Sequence, residues 1–156
     1  MFFYLAGFST ELLLTQLTET WREAVDAGLV VAVAFIDFKK AFDGVSHPIL
    51  EMKLESDFSI SGPLLGWIKS YLNERQQFTA VNGSTSDMLP IAFGISQGSV
   101  FGLTLFTLFT NDLPSCVSSG TVYMFAIDTT VYCISETAEK RMVQLNSALR
   151  EFDKWC

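Results

Sequence analysis

Apolar positions along the chain recur either with the spacing of an α-helix or in the short β-branched runs of strands, and more segments show the helical spacing. The first helix has Ser9 and Thr10 as capping residues, apolar positions on one side, and Gly28 as its stop. Two further helices begin at Ser46 and at Ser61, each with a proline in its first turn. The patterns together predict helices over residues 10–27, 46–54, 61–73, 103–113 and 136–155.

β-branched and aromatic runs predict the strands. Residues 29–36 are apolar without alternation, which indicates a strand covered on both faces, and this strand ends in Asp37. Asn82-Gly83 predicts the turn of one hairpin. A second hairpin, built from residues 121–126 and 130–134, has Asp128 at its tip. Strands and helices are intermixed without a regular βαβ period, so the fold class is α+β, in a single domain over residues 1–156.

Composition narrows the class of protein. Of 156 residues, 49% are hydrophobic and 17% charged, which is enough apolar material for a packed core. No apolar run is long enough to cross a bilayer, and the apolar start lacks the basic residue of a signal peptide. Three cysteines leave one unpaired, so we expect a reducing, intracellular location, nuclear or cytoplasmic, without secretion or a membrane partner. The oligomeric state stays open.

Net charge weighs against one class of function. The chain carries a formal charge of −7, whereas free-standing nucleic-acid binders use Lys and Arg to neutralise phosphates. Acidic residues gathered at a metal site, with basic surfaces in other segments, would reconcile this charge with a nucleic-acid function.

Two aspartates are the candidates for metal chemistry. Asp37 ends a strand and Asp128 lies at a hairpin, and hard divalent cations prefer oxygen ligands of this type. Pairs of metal ions held by carboxylates catalyse nucleotidyl transfer in polymerases. On pattern alone, strand-end aspartates are more often solvated or capping groups.

Motifs along the chain change this balance. Residues 35–43 (FIDFKKAFD) resemble the D-x-x-x-A-F-D motif of reverse transcriptases, and residues 94–106 (GISQGSVFGLTLF) resemble their G-V-P-Q-G-S-V-L-G-P-x-L-F motif. Residues 123–130 (YMFAIDTT) are similar to the F-A-D-D-T-T hairpin. Weaker resemblances, in family order, are residues 5–11 (LAGFSTE), 70–77 (SYLNERQQ), 81–83 (VNG) and 111–114 (NDLP). The chain resembles the reverse transcriptase domain of a non-LTR (LINE-type) retrotransposon.

This resemblance implies a fold and partners. It implies a palm, an antiparallel sheet with packed helices, over residues 29–156, a remnant of the fingers over residues 1–28, and no thumb. The family is an RNA-directed DNA polymerase that uses an RNA template, a DNA primer, deoxynucleotides and two Mg²⁺ ions. In an acidic chain cut at both ends, we expect the grip on template and primer to be weak.

The resemblance also implies residue roles. Asp37 would bind both metals, Asp128 would be the second hairpin aspartate, and the backbone carbonyl of Phe38 could reach one metal. Phe42 falls at the steric gate that excludes a ribose 2′-hydroxyl. Gln97 and Gly98 would border the incoming nucleotide.

Ordinary structural roles compete with these. Phe42 is equally suited to the core, and Gln97 to a plain loop. His47 at a helix start is better read as a surface or capping residue than as an acid or base. Asp43 and Asp112 are expected to cap or hydrogen-bond locally, and the cysteines to be small buried hydrophobes. We therefore leave all of these except Phe42 and Gln97 out of the site.

The chain departs from the family at positions that matter. Ile127 stands where the first aspartate of the hairpin is expected, and it offers no oxygen to a metal. Phe8 replaces a basic residue. Ser96 and Leu103 replace the two prolines of the G-V-P-Q-G-S-V-L-G-P-x-L-F motif, whose first part is the glutamine loop around Gln97. We expect a degenerate active site whose activity is absent or very low.

Two other functions stay open. The domain could be a non-catalytic remnant that acts as a binding module or has no function. It could also be a host-coded palm with another phosphotransfer role, although the order of the motifs argues against this. Magnesium between Asp37 and Asp128 together with a basic template groove would favour the polymerase.

Overall fold

The structure is a computed structural model that describes residues 9–73, 75–125 and 127–156. The fingers-like segment before Ser9, with Phe8 in it, lies outside the described residues. The elements in chain order are α1 (Thr10–Asp26), β1 (Val30–Asp37), α2 (His47–Ser56), α3 (Gly62–Leu72), β2 (Gln76–Gln77), β3 (Ala80–Val81), β4 (Ser84–Thr85), β5 (Leu89–Pro90), α4 (Val100–Phe109), α5 (Leu113–Cys116), β6 (Thr121–Phe125), β7 (Asp128–Ser135) and α6 (Ala138–Trp155). Mixed helices and antiparallel strands confirm the α+β class.

Two compact units divide the chain. Unit 1 comprises the chain up to Lys39 together with Asn111–Cys156, and unit 2 is Lys40–Thr110. The predicted division into a fingers remnant over residues 1–28 and a palm over residues 29–156 stays a prediction, because these compact units do not test it.

A three-stranded antiparallel sheet forms the centre of unit 1. Its strand order is β1-β7-β6, and the β1–β7 register runs from Val30 opposite Ser135 to Asp37 opposite Asp128. β6 pairs with β7 as a hairpin in which Phe125 lies opposite Asp128. The second predicted hairpin is therefore confirmed, although Asp128 is the first residue of β7 rather than the tip.

Helices pack on both faces of this sheet. Val31 and Val33 of β1 pack with Leu13 and Leu17 of α1, whereas the alternate residues of β1 face a second cluster. That cluster joins β1 to α6 and contains Ala32, Ala34, Ile36, Met124, Val131, Leu145, Ala148 and Phe152. Burying a large apolar side chain contributes about 1.5–3 kcal/mol, so these two clusters stabilise unit 1.

The outer end of β1 departs from prediction. A strand covered on both faces was expected, but residues 31–34 are only half-buried and Phe35 is 76% exposed. β1 lies at the edge of the described sheet, and the Phe35 ring meets Trp21 edge-on with centroids 6.4 Å apart. One side contact leaves most of the ring in solvent.

Unit 2 combines three helices with two short two-stranded ladders. Its buried apolar residues come mostly from the helices: Leu50, Leu54, Leu65, Ile68, Leu72, Leu105 and Phe106. β3 and β4 form the predicted hairpin, and Asn82 and Gly83 both have positive φ, 49° and 80°. This turn requires such φ values, which Asn and Gly adopt at low cost.

The helix predicted over residues 103–113 is wrong at both ends. α4 begins at Val100, where the Ser99 hydroxyl accepts a hydrogen bond from the Gly102 N–H, and it ends at Phe109. Gly102 belongs to the first turn because only a residue without Cβ fits beside the Ser96 carbonyl. α5 is a separate short helix in unit 1.

No helix within the described ranges is both long and apolar enough to cross a membrane. The three cysteines are free thiols: Cys133 is buried, whereas Cys116 and Cys156 are exposed. The expectation that all three are buried hydrophobes is wrong for the last two, which lie at the ends of α5 and α6.

Candidate active site

Asp37 and Asp128 meet at one end of the sheet in unit 1. They are directly opposite residues of β1 and β7, so their side chains project from the same face of the sheet. Cβ atoms of opposite residues in an antiparallel pair lie about 4.5–5.5 Å apart. Both aspartates are exposed. Sequence reasoning named both residues, and the strand register places them side by side on one face of the sheet.

Aromatic packing supports the backbone at this strand end. The Phe38 ring stacks on Phe152 with centroids 5.5 Å apart and meets Trp155 edge-on at 6.3 Å. On the same face of the sheet as α6, Met124 is fully buried and Thr129 is 2% exposed. Phe38 therefore fixes the strand end through its side chain, which leaves only its backbone carbonyl for a ligand.

Ile127 directly precedes Asp128 and is half-buried. Its hydrocarbon side chain has no donor atom, so the local set of side-chain oxygens comes from two carboxylates. Within residues 9–73, 75–125 and 127–156, no three or more His, Cys, Asp or Glu side chains are grouped so that they could hold a metal ion.

The donor set fits one divalent cation. Mg²⁺ is commonly held by one or two carboxylates, with water and substrate phosphates completing its shell. Two exposed, opposite carboxylates satisfy that pattern. They do not satisfy two cations, whose four positive charges would face two negative ones.

The residues predicted to contact the nucleotide lie in unit 2. The Phe42 ring is half-buried and packs on Phe106, with centroids 5.0 Å apart. Gln97 is exposed, and Gly98 has a φ of 84°, which glycine adopts readily. Their roles toward a nucleotide stay predictions, as do those of Asp37, Phe38 and Asp128.

His47 is not the surface or capping residue that was predicted. It is 4% exposed at the first position of α2, and its Nε2 lies 2.7 Å from the Gly94 carbonyl oxygen. A carbonyl can only accept, so Nε2 carries the proton and donates. His47 thereby ties α2 to the segment before the glutamine loop, a structural role that its helix-start position did not reveal.

Asp43 and Asp112 have different local settings. The carbonyl oxygen of Asp112 accepts hydrogen bonds from Ser115 and Cys116 at the start of α5. Asp43 is exposed and lines a cavity of unit 2, together with Lys40 and Arg75. Sequence reasoning missed these two cations as site residues, although both lie in the quoted motifs.

Comparison with known proteins decides the family. The family model for reverse transcriptase (RNA-dependent DNA polymerase) matches residues 7–156. The chain belongs to the reverse transcriptase family. The resemblance seen in the motifs is thus confirmed over nearly the whole sequence.

Relatives of this reverse transcriptase domain are mobile-element proteins. It is 33% identical over 140 residues, 85% of the chain, to the RNA-directed DNA polymerase from mobile element jockey of Drosophila melanogaster. It is 37% identical over 108 residues, 69% of the chain, to the probable RNA-directed DNA polymerase from transposon BS of the same fly. It is also 29% identical over 86 residues, 55% of the chain, to the retrovirus-related Pol polyprotein from type-1 retrotransposable element R2 of Popillia japonica. These matches confirm the non-LTR retrotransposon kind.

The matched region is a small part of each relative. The chain spans 15% of the jockey protein, 12% of the transposon BS protein and 14% of the R2 polyprotein.

Proposed function

We propose that this domain is a reverse transcriptase palm, with part of the fingers before residue 29, whose Asp37–Asp128 pair binds a divalent cation. Its ancestral reaction is RNA-directed DNA synthesis from an RNA template, a DNA primer and deoxynucleotides. The observation that carries the proposal is the register, which sets the two carboxylates opposite each other at one strand end. Its place of action is intracellular.

Each residue has a distinct part in this reaction. Asp37 and Asp128 hold the cation, with the Phe38 carbonyl as a further oxygen. A bound cation supplies positive charge that stabilises the transferring phosphoryl group. The Phe42 ring excludes a ribose 2′-hydroxyl by bulk, while Gln97 and Gly98 border the nucleotide and let it approach the backbone.

Ile127 reduces this activity to a very low level or abolishes it. A polymerase with two metal ions needs carboxylates for both, and the transition state carries charge that the metals and their ligands must balance. With one carboxylate replaced by a hydrocarbon, the site is matched to one cation rather than two. Loss of a direct ligand therefore weakens the second metal site in particular.

A second candidate function is a non-catalytic binding module on the same fold. Ile127 favours it, because a binding module does not need a metal-binding aspartate at position 127. The net charge of −7 also favours it over a tight nucleic-acid grip.

Primer extension on an RNA template with Mg²⁺ separates the two. We compare the native chain with Ile127→Asp and with Ile127→Asp/Phe8→Arg, and use Asp37→Asn in the Ile127→Asp background as the matched control. We expect no measurable extension by the native chain, extension by the revertants, and loss of it again with Asp37→Asn. Silence in every variant favours the binding module.

Activity of the native chain that is lost in Asp37→Ala would contradict the proposed impairment, because it would mean that the site works without a carboxylate at position 127. Equal activity of the revertant with and without Asp37 would contradict the assignment of the site itself.

A further inference from the structure

Unit 2 contains a cavity with an excess of positive charge. Its volume is about 580 Å³, within the range of about 300–1,000 Å³ typical of small-molecule sites. Two cationic side chains, Lys40 and Arg75, and the Asp43 carboxylate contribute to its wall, together with Gln77, Gly94 and Ile95. Positive charge in an acidic protein is notable because the chain as a whole repels anions.

Backbone hydrogen bonds hold the first wall in place. The segment after β1 is tied to residues 94 and 95, because the Gly94 N–H donates to Val45 and the Ile95 N–H donates to Phe42. Gly94 has a φ of 91°, which other residues rarely adopt, and a Cβ there would lie 3.1 Å from the Asp43 Cα, so glycine suits this close approach. Lys40, in this same segment, adopts a left-handed φ of 54°.

A second set of contacts positions Arg75. Its carbonyl accepts a hydrogen bond from the Ile91 N–H at 2.9 Å, next to the β2–β5 ladder. Its guanidinium carbon lies 5.8 Å from the centre of the Tyr71 ring, a cation–π contact that orients the group. The Tyr71 hydroxyl oxygen in turn lies 3.2 Å from the Ser99 hydroxyl oxygen. The pKa of Tyr71 is lowered by its hydrogen bonds with Ser96 and Ser99 and by the Arg75 charge.

Lys40 and Arg75 form no ion pair with any residue in the described ranges, although Asp43 lines the same cavity. Arg75 is half-buried, so its charge is less screened than that of a surface arginine. Gln77 adds an amide that can donate further hydrogen bonds. Two cationic side chains with an amide donor beside them are the kind of groups that recognise phosphate.

We propose that this cavity binds a phosphate group through Lys40 and Arg75, and that the phosphate belongs to a nucleic-acid strand. The inference rests on the proposed function for its ligand, but it does not need Asp37, Asp128 or catalysis. A nucleoside triphosphate offers the same chemistry and is the alternative source.

Salt dependence of binding tests this site. We measure the affinity of a short single-stranded RNA by fluorescence anisotropy over a series of salt concentrations, without divalent cations, for the native chain and for Lys40→Gln/Arg75→Gln. Each phosphate contact contributes about 0.7 to the slope of log K against log salt on a single strand, so the slope should fall by about 0.7 for each cation removed. The matched control, Arg150→Gln/Lys154→Gln, removes the same charge from exposed positions of α6 and should leave the slope unchanged.

Two further variants separate charge from folding. Lys40→Gln alone removes an exposed cation, and it should lower the slope by half of the double variant's change. Arg75→Lys keeps the charge and should keep most of the slope. If Arg75→Lys lowers the slope as much as Lys40→Gln/Arg75→Gln does, and Lys40→Gln alone changes nothing, the residues are structural and the proposal is overturned.

Titration with deoxythymidine triphosphate identifies the source of the phosphate. Weakened RNA binding in the cavity variant identifies a strand, whereas weakened triphosphate binding with unchanged RNA binding supports the phosphate site but assigns it to the nucleotide. Equal binding by cavity and control variants overturns the site while leaving the proposed function intact. A native chain that binds neither ligand overturns both this inference and the nucleic-acid part of the proposed function.

Discussion

The acidic strand end of unit 1 and the basic cavity of unit 2 are built by different means. Strand register places Asp37 and Asp128, because the pairing of β1 with β7 sets which residues lie opposite each other. Turns, two-residue ladders and isolated backbone hydrogen bonds place Lys40 and Arg75 instead. Regular structure therefore positions the candidate metal ligands, whereas irregular backbone positions the candidate phosphate ligands.

This difference has an energetic side. The strand end is supported on one face by buried side chains such as Met124 and Val131, so it tolerates two exposed like charges. Like charges directly opposite each other in a sheet are destabilising by a fraction of a kcal/mol to about 1 kcal/mol. In the described part of unit 2 the strands form only two-residue ladders, so the cavity depends on single close contacts and is sensitive to small changes in backbone packing.

Adding one methyl group at Gly102 is the strongest test of that sensitivity. A Cβ there would lie 2.2 Å from the Ser96 carbonyl oxygen, so Gly102→Ala must displace the backbone at the start of α4. Overpacking of this kind costs about 1–3 kcal/mol, and we expect a loss of unfolding free energy at or above the top of that range. Urea unfolding measures it.

Gly66→Ala is the matched control in α3. No atom lies within 4 Å of a Cβ at that position, so the substitution should stabilise the helix by about 1 kcal/mol through propensity alone. Equal effects at the two glycines would contradict the packing argument for the loop before α4.

Each unit contains a buried threonine, and the two differ in whether the hydroxyl is hydrogen-bonded. Thr129 at the strand end is 2% exposed, and its hydroxyl has no hydrogen-bond partner among the described residues. Thr110 in unit 2 is 1% exposed, and its hydroxyl donates to the Phe106 carbonyl at 3.1 Å. Thr129→Val should therefore raise the unfolding free energy by about 1 kcal/mol, and Thr110→Val should lower it by a similar amount. Thermal unfolding of both variants checks the signs; two losses of equal size would refute the difference.

Acid sensitivity gives the smallest effect and concerns the far end of the unit 1 sheet. The Oε2 atom of Glu151 accepts hydrogen bonds from the N–H groups of Ser118 and Ser119, and the Ser119 hydroxyl donates to its other oxygen. These bonds, those of Ser119 first, lower the pKa of Glu151 from its ordinary value near 4.5 to about 2. The folded state thus binds fewer protons, and the stabilisation is full above pH 4.5 and lost as the pH falls toward 2.

Glu151→Gln should flatten the pH dependence of the urea midpoint within that window and lower the midpoint at neutral pH. Glu139→Gln, an exposed substitution in the first turn of the same helix, is the control and should do neither. A wild-type pH dependence in Glu151→Gln would show that other groups dominate.

Much of unit 1 was predictable from the sequence, because its elements are long and carry start and stop residues. α1, α6 and the β6–β7 hairpin lie where capping, periodicity and β-branched runs predicted them, and the motifs named both aspartates. The start of α4 was missed because Gly102 looks like a loop residue until the Ser96 carbonyl beside it is known. Burial of His47 was missed for the same reason, since its partner is a carbonyl 47 positions away.

Arg75 and Lys40 illustrate the remaining limit. Both lie within motifs that the sequence quoted, but nothing in spacing alone indicates that two segments about 35 residues apart line one cavity. Contacts between irregular segments depend on tertiary packing, which local pattern does not encode.

Calorimetric titration with Mg²⁺ tests most directly whether the Asp37–Asp128 pair is a cation site that lacks one ligand at position 127. We expect weak binding of one ion to the native chain, loss of it in Asp37→Asn, no change in Asp153→Asn, and binding roughly tenfold tighter or more in Ile127→Asp. Binding that persists in Asp37→Asn, or an affinity that Ile127→Asp leaves unchanged, would contradict the account.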